Sequence, residues 1–146
     1  MFAKEILDRQ SNDKDDLYFQ SALNPLNDER KLEAALEKIG RVPKGFDGKL
    51  FLPLLSHSSP AVRLLAVKNI GKLKDESFLD KVSCLAKTES NTLVRREAVS
   101  AIGRMRSRYA VPVLISFLHD NDAKVVLQAI QGASRFQNSA EGAGIA

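Results

Sequence analysis

A chain of 146 residues, 44% hydrophobic and 27% charged, has the size and composition of one globular domain, which excludes a collagen, a disulfide scaffold and a wholly disordered chain. No stretch approaches the ~18 uninterrupted apolar residues of a membrane span, so no membrane partner is expected. The formal charge is +4 and unevenly spread: residues 1–50 carry nine Lys/Arg against ten Asp/Glu, residues 51–146 thirteen against eight. A basic balance favours acidic partners without specifying one. The one cysteine, Cys84, cannot close an intrachain disulfide, which points to a cytoplasmic chain.

Residues 1–14 carry Phe2, Ile6 and Leu7 and are expected to form an N-terminal cap or arm. Charges at Lys4, Glu5, Asp8 and Arg9 leave no apolar core of signal-peptide length there. Asp13, Asp15 and Asp16 precede Leu17-Tyr18-Phe19. Such a cluster could serve as an acid–base pair, but acidic residues in a first helical turn are accounted for by the helix dipole.

From there the chain repeats itself. Ile39-Gly40-Arg41-Val42, Ile70-Gly71-Lys72-Leu73, Ile102-Gly103-Arg104-Met105 and Ala133-Ser134-Arg135-Phe136 recur, with third positions spaced by 31, 32 and 31 residues. A fixed period of this length marks a stacked repeat architecture. Upstream, Val62-Arg63 with Ala66 matches Val94-Arg95 with Ala98. The fourth copy reads Val125-Val126 with Ala129, and the first keeps only Ala35 and Ile39-Gly40, with Lys31 in place of valine.

Each unit reads as two helices. In the second unit Leu50-Phe51-Leu52-Pro53-Leu54-Leu55 could be a buried strand by composition, but the two-helix period makes it a helix with Pro53 near its first turn. Ser59-Pro60 then opens a second helix as N-cap and first-turn proline. Val62, Leu65, Ala66, Ile70 and Leu73 form its apolar stripe, with Asn69 as a polar exception at the edge. In the third unit Phe78, Leu79, Val82 and Leu85 supply the first-helix stripe, and Cys84 beside it reads as a small buried hydrophobe. In the fourth, Val111 to Leu118 does the same with Pro112 early in the helix. Short polar segments at 56–59, 88–92 and 120–122 turn within units, and 74–77 and 106–108 join one unit to the next; loops this short set neighbouring helices antiparallel. The expectation is an all-α fold, an α-solenoid of about four stacked helical hairpins over residues 15–136. Its units lie near 15–44, 45–74, 75–107 and 108–136, followed by a flexible small-residue tail at 137–146.

The second-helix pattern Val-Arg-x-x-Ala-x-x-x-Ile/Leu-Gly, as Val62 through Gly71 and Val94 through Gly103, resembles the short HEAT-like repeats of the phycobilisome-lyase type. The resemblance covers residues 47–136 well and 15–40 weakly. It implies an armadillo-type superhelix, a scaffold fold that serves many unrelated proteins. It also implies a structural ladder in which the arginines after the valines, Arg63 and Arg95, bond the acidic turn between helices; Val126 leaves the third rung missing. A role as lyase-like or chaperone-like assistant to a chromophore protein rests on this analogy alone. HEAT-like repeats also form certain alkylated-base DNA glycosylases, but their aromatic and carboxylate sets have no residue-by-residue match here.

The residues themselves offer no catalytic, cofactor or metal site. Phosphate-loop, dinucleotide, His-Glu-x-x-His and Cys-x-x-Cys patterns are all lacking. His57 and His119 fall in turns two units apart, too distant to share a metal, and Cys84 has no histidine in its unit to act as base. The more informative set is basic. Arg41, Lys72, Arg104 and Arg135 occupy one position in all four units and should form a row along the stack, broadened by Lys74, Arg106 and Arg108. Such a row can contact phosphates or an acidic protein surface. Equally, cations near helix C-termini offset the helix dipole at ~0.3–1 kcal/mol each. Aromatics are only 6%, with no tryptophan and Tyr109 beside Arg108 as the one exposed-looking ring, which is poor for stacking single-stranded bases. The expected function is a non-catalytic scaffold that binds a protein partner through its curved surface. The alternative is a nucleic-acid-binding module contacting backbone phosphates. The fourth unit has Ile130 and Phe136 but no capping helix after it, so the chain reads as a module of a larger protein, with self-association through the open end.

Overall fold

The computed structural model describes residues 17–40, 42 and 46–142, with side chains as far as 136. Residues 1–14, Asp13, Asp15, Asp16 and Arg41 therefore lie outside the described residues. Among those described, every regular element is helical. Helix α1 covers 17–22 and α2 Glu29–Lys38. A 3-10 helix at Gly48–Ser56 pairs with α3, Pro60–Leu73. Helix α4, Leu79–Thr88, entered through a 3-10 turn at Glu76–Phe78, pairs with α5, Thr92–Arg104. Helix α6, Ala110–Ser116, pairs with α7, Ala123–Gly142. The all-α solenoid expected from the period is what the chain forms.

Local chemistry sets where each second helix begins. Their N-cap positions are Asp28, Ser59, Asn91 and Asp122, which repeat the spacings of the basic row. Ser59 Oγ accepts from the Val62 amide at 3.4 Å, Asn91 Oδ1 from Leu93 and Val94 at 3.0 and 3.2 Å, and Asp122 Oδ2 from Val125 at 3.1 Å. Helices α3 and α5 both give way to a left-handed residue, Lys74 and Arg106, each with φ of 51°. That conformation frees the chain to turn into the next unit.

The segment 48–56 departs from the α-helix expected of it. Pro53 sits within it and has no N–H to give the carbonyl four residues back, and the segment winds as a 3-10 helix instead. Helix α7 runs on past 136 to Gly142, into the stretch expected as tail.

The second helices form the spine. α2 packs on α3, α3 on α5 and α5 on α7, while the 3-10 helix at 48–56, α4 and α6 pack chiefly on α3, α5 and α7, the second helices of their own units. Val62, Ala66, Val67 and Ile70 of α3 and Ala98, Val99 and Ile102 of α5 have no exposed surface. Each large aliphatic side chain so buried contributes about 1.5–3 kcal/mol. Glycine lets the spine close. A Cβ built on Gly103 would lie 2.8 Å from the Cα of Gly132, and one on Gly132 equally close to Gly103. Gly71 faces Ala101 in the same way, with a looser 3.4 Å to its Cβ.

At the N-terminal end Phe19, Phe46 and Phe51 pack ring to ring with centroids 5.0 Å apart, while Leu17, Tyr18 and Leu26 are exposed. At the C-terminal end Ile130 occupies the position of Val67 and Val99, both fully buried by the unit that follows them, yet it is 49% exposed. Leu127 beside it is 51% exposed. Among the described residues no helix is long and apolar enough to cross a membrane.

Two single-residue expectations are corrected. Asn69 is not at the stripe's edge but 1% exposed, its amide donating to Leu36 O at 3.1 Å across the α2–α3 interface and to Leu65 O at 2.9 Å. Cys84 is exposed rather than buried, because α4 turns Val82, Ser83 and Ala86 inward against α5.

Candidate interaction surface

Positions 72, 104 and 135 are aligned along the spine, and each cation leans back over the unit before it. Lys72 Nζ donates to Ile39 O at 2.6 Å, at the C-terminus of α2, and to Asn69 Oδ1 at 3.2 Å. Burial, then the charges of Lys68 and Arg104, hold its ammonium below the ordinary lysine range. Arg104 Nη1 lies 3.3 Å from where a Gly71 Cβ would stand, and Arg135 Nη1 3.7 Å from the corresponding point on Gly103. All three are half-buried. The helix-dipole account therefore holds for Lys72 in an altered form: the carbonyl it bonds belongs to the preceding second helix rather than its own. Lys74, Arg106 and Arg108 are exposed at the joints between units. Arg108 is engaged locally, its Nη2 donating to the Tyr109 hydroxyl at 2.8 Å and its guanidinium 4.9 Å from that ring's centre.

Arg63 and Arg95 form the structural ladder, with one refinement. Each guanidinium donates to carbonyls at the turn of its own unit and grips a carboxylate in the turn of the next. Arg63 bonds His57 O at 2.7 Å and Ser58 O at 3.1 Å, and meets both Glu89 oxygens at 2.9 Å. Arg95 bonds Glu89 O at 3.1 Å and meets Asp120 at 2.9 and 3.2 Å. A neighbouring fork, Arg96 on Asp122 at 2.7 and 2.9 Å, ties α5 to the start of α7. Where the first unit lacks an arginine, Ser59 Oγ donates to Glu29 at 2.6 Å.

Burial raises the Glu89 pKa, but its hydrogen bonds from Arg63 and the Asn91 amide and the charges of Arg63 and Arg95 outweigh this, and the net shift is downward. The Arg96 hydrogen bond leads the causes that bring Asp122 to about 2, with the Val125 amide and the charges of Arg96 and Arg95 adding to it. The acidic members of these pairs were not singled out from the sequence. A signal existed: Glu89 and Asp120 stand 31 residues apart, one repeat period, each just before a second helix.

The two histidines occupy turns, as their spacing implied. His119 is exposed; His57 is half-buried, its Nδ1 accepting from the Ser59 amide at 3.0 Å. Among the described residues no three His, Cys, Asp or Glu side chains gather to hold a metal. His57 and Cys84, from different units, nevertheless line one groove between the 3-10 helix and α4.

The family model for HEAT repeats matches residues 48–135, which takes in the second, third and nearly all of the fourth hairpin. No curated protein matches the chain. The match falls on the same residues that stack through Gly71, Gly103 and Gly132 and that carry both arginine rungs. By the period, the hairpin stack and this match, the chain belongs to the HEAT-repeat proteins.

Proposed function

We propose that this protein is a non-catalytic scaffold that binds an acidic protein partner on the face formed by its stacked second helices. The observation that carries the reading is the alignment of Lys72, Arg104 and Arg135 along one face of a continuous spine. Leu93, 60% exposed, stands three helical turns before Arg104 on that face and adds an apolar contact. A protein surface is favoured over nucleic acid because exposed Leu93 offers an apolar contact on the same face and no exposed ring lies on α3 or α5 for a base to stack on. An exposed lone thiol suits a cytoplasmic, reducing compartment.

Poly-glutamate and duplex DNA serve as the two probes, each titrated at low and high salt. Binding of poly-glutamate should weaken with salt and fall by about tenfold when Lys72, Arg104 and Arg135 are all replaced by glutamine. Retained binding in that variant would remove the row from the site. Tight, salt-steep DNA binding lost in the same variant would favour the phosphate-contacting alternative instead.

The uncovered positions of the last unit support a second contact, between copies of the chain through Leu127 and Ile130. Light scattering should show a mass that rises with concentration, and Ile130→Glu should hold it at the monomer value. A monomer at every concentration would dismiss the contact.

A further inference from the structure

We propose that the groove between the 3-10 helix at 48–56 and α4 is a second binding site, for an acidic peptide segment that carries aliphatic side chains. It lies where the first elements of two successive units diverge from a spine that stays closed, and it encloses about 950 Å³. That is ample for several side chains of an extended segment.

Its lining is amphipathic in a specific way. Leu52 from one wall and Leu85 from the other are half-buried and apolar. Lys49 and Lys81, also one from each wall, are exposed, and among the described residues neither takes part in an ion pair. Among the described residues the one carboxylate in the lining is Glu89, and Arg63 already holds both of its oxygens. Two uncompensated ammonium groups therefore flank an apolar strip. Carboxylates on the ligand satisfy the lysines, and aliphatic side chains satisfy the leucines. A nucleic acid fits the walls less well, because the lining holds a single aromatic ring, His57, which is half-buried with its Nδ1 engaged by the Ser59 amide.

Cys84 makes the test direct, since the chain's single cysteine is exposed in the groove wall and reports its occupancy. The probe is a short peptide alternating glutamate and leucine, compared with its lysine–leucine counterpart and with oligothymidylate. The glutamate–leucine peptide should slow alkylation of Cys84 by iodoacetamide by about tenfold at saturation. Its affinity should drop by about tenfold or more in Lys49→Glu with Lys81→Glu, and by less in the paired glutamine variants. Lys124→Glu, on the exposed face of α7, should bind as the native chain does. Circular dichroism of each variant separates lost binding from lost fold. Substituting Lys72, Arg104 and Arg135 should leave this binding intact, so the groove and the spine face fail or stand separately. Unchanged Cys84 alkylation with the peptide present, binding that survives the double reversal, or better protection by oligothymidylate would each overturn the proposal.

Discussion

Gly103→Ala is expected to destabilise the protein by about 2 kcal/mol, although alanine is the better helix former by about 1 kcal/mol. The added methyl would stand 2.8 Å from the Cα of Gly132, and backbone cannot swing aside as a side-chain tip can. Helices α5 and α7 must separate, and the contacts of Ile102 and Ala129 loosen with them. Gly132→Ala meets the same obstacle and also Leu114 at 3.0 Å. Gly71→Ala is the control: its nearest neighbours are the end of the Arg104 side chain at 3.3 Å and the Ala101 methyl at 3.4 Å. It should fall within about 1 kcal/mol of the native chain, since the propensity gain offsets a small repacking. Urea unfolding midpoints for the three variants decide the matter, and equal stability of Gly103→Ala and Gly71→Ala would disprove the backbone contact.

Glu89→Ala should cost about 3 kcal/mol, in the range found for breaking a buried ion pair. The carboxylate is 4% exposed and receives three hydrogen bonds, two from Arg63 and one from the Asn91 amide. Its removal leaves the Arg63 guanidinium, on a side chain only 16% exposed in the intact pair, with only turn carbonyls for partners. Arg63→Ala in the same background should add less than it does alone, giving a coupling of about 1 kcal/mol or more in a double-mutant cycle. Full additivity would mean that the rung contributes nothing as a pair. Acid should act on the same devices. Glu89 and Asp122 both titrate lower when folded than when unfolded, so their contribution is complete above the ordinary carboxylate range and is lost as pH falls through the depressed folded values, toward about 2 for Asp122. Melting temperature should therefore decline from pH 5 to pH 2. Asp122→Asn, whose side-chain oxygen can still cap α7, should make that decline shallower.

The stack was legible because its cause is periodic. The string Ile-Gly-cation falls at the ends of α2, α3 and α5, its fourth copy Ala133-Ser134-Arg135 lies within α7, and the spacing of 31, 32 and 31 returns in the N-caps at 28, 59, 91 and 122. Arg63 and Arg95 were readable as rungs from the family pattern, whereas their grip on the following unit was not, because it depends on how far one turn sits from the next. Cys84 was misplaced for a different reason. Hydrophobicity ranks cysteine above serine, but the close approach of α4 to α5 selects for small volume, and Ser83 and Ala86 meet that demand. Asn69 was misread because a polar residue in an apolar stripe looks like a margin until its partner, a carbonyl 33 residues earlier, is in view. In the first unit the buried position shifts from Lys31 to Leu32, which is why that copy matched poorly.

Continuous packing of the second helices, closest where Gly103 meets Gly132, has a mechanical corollary. With those helices held together and the first elements apart, the molecule resembles a fan pinned along its rib. Curvature can change by spreading or gathering the outer elements while the pinned edge holds its spacing. Any ligand wedged between those elements would then straighten or bend the whole body and alter the shape presented on the opposite side.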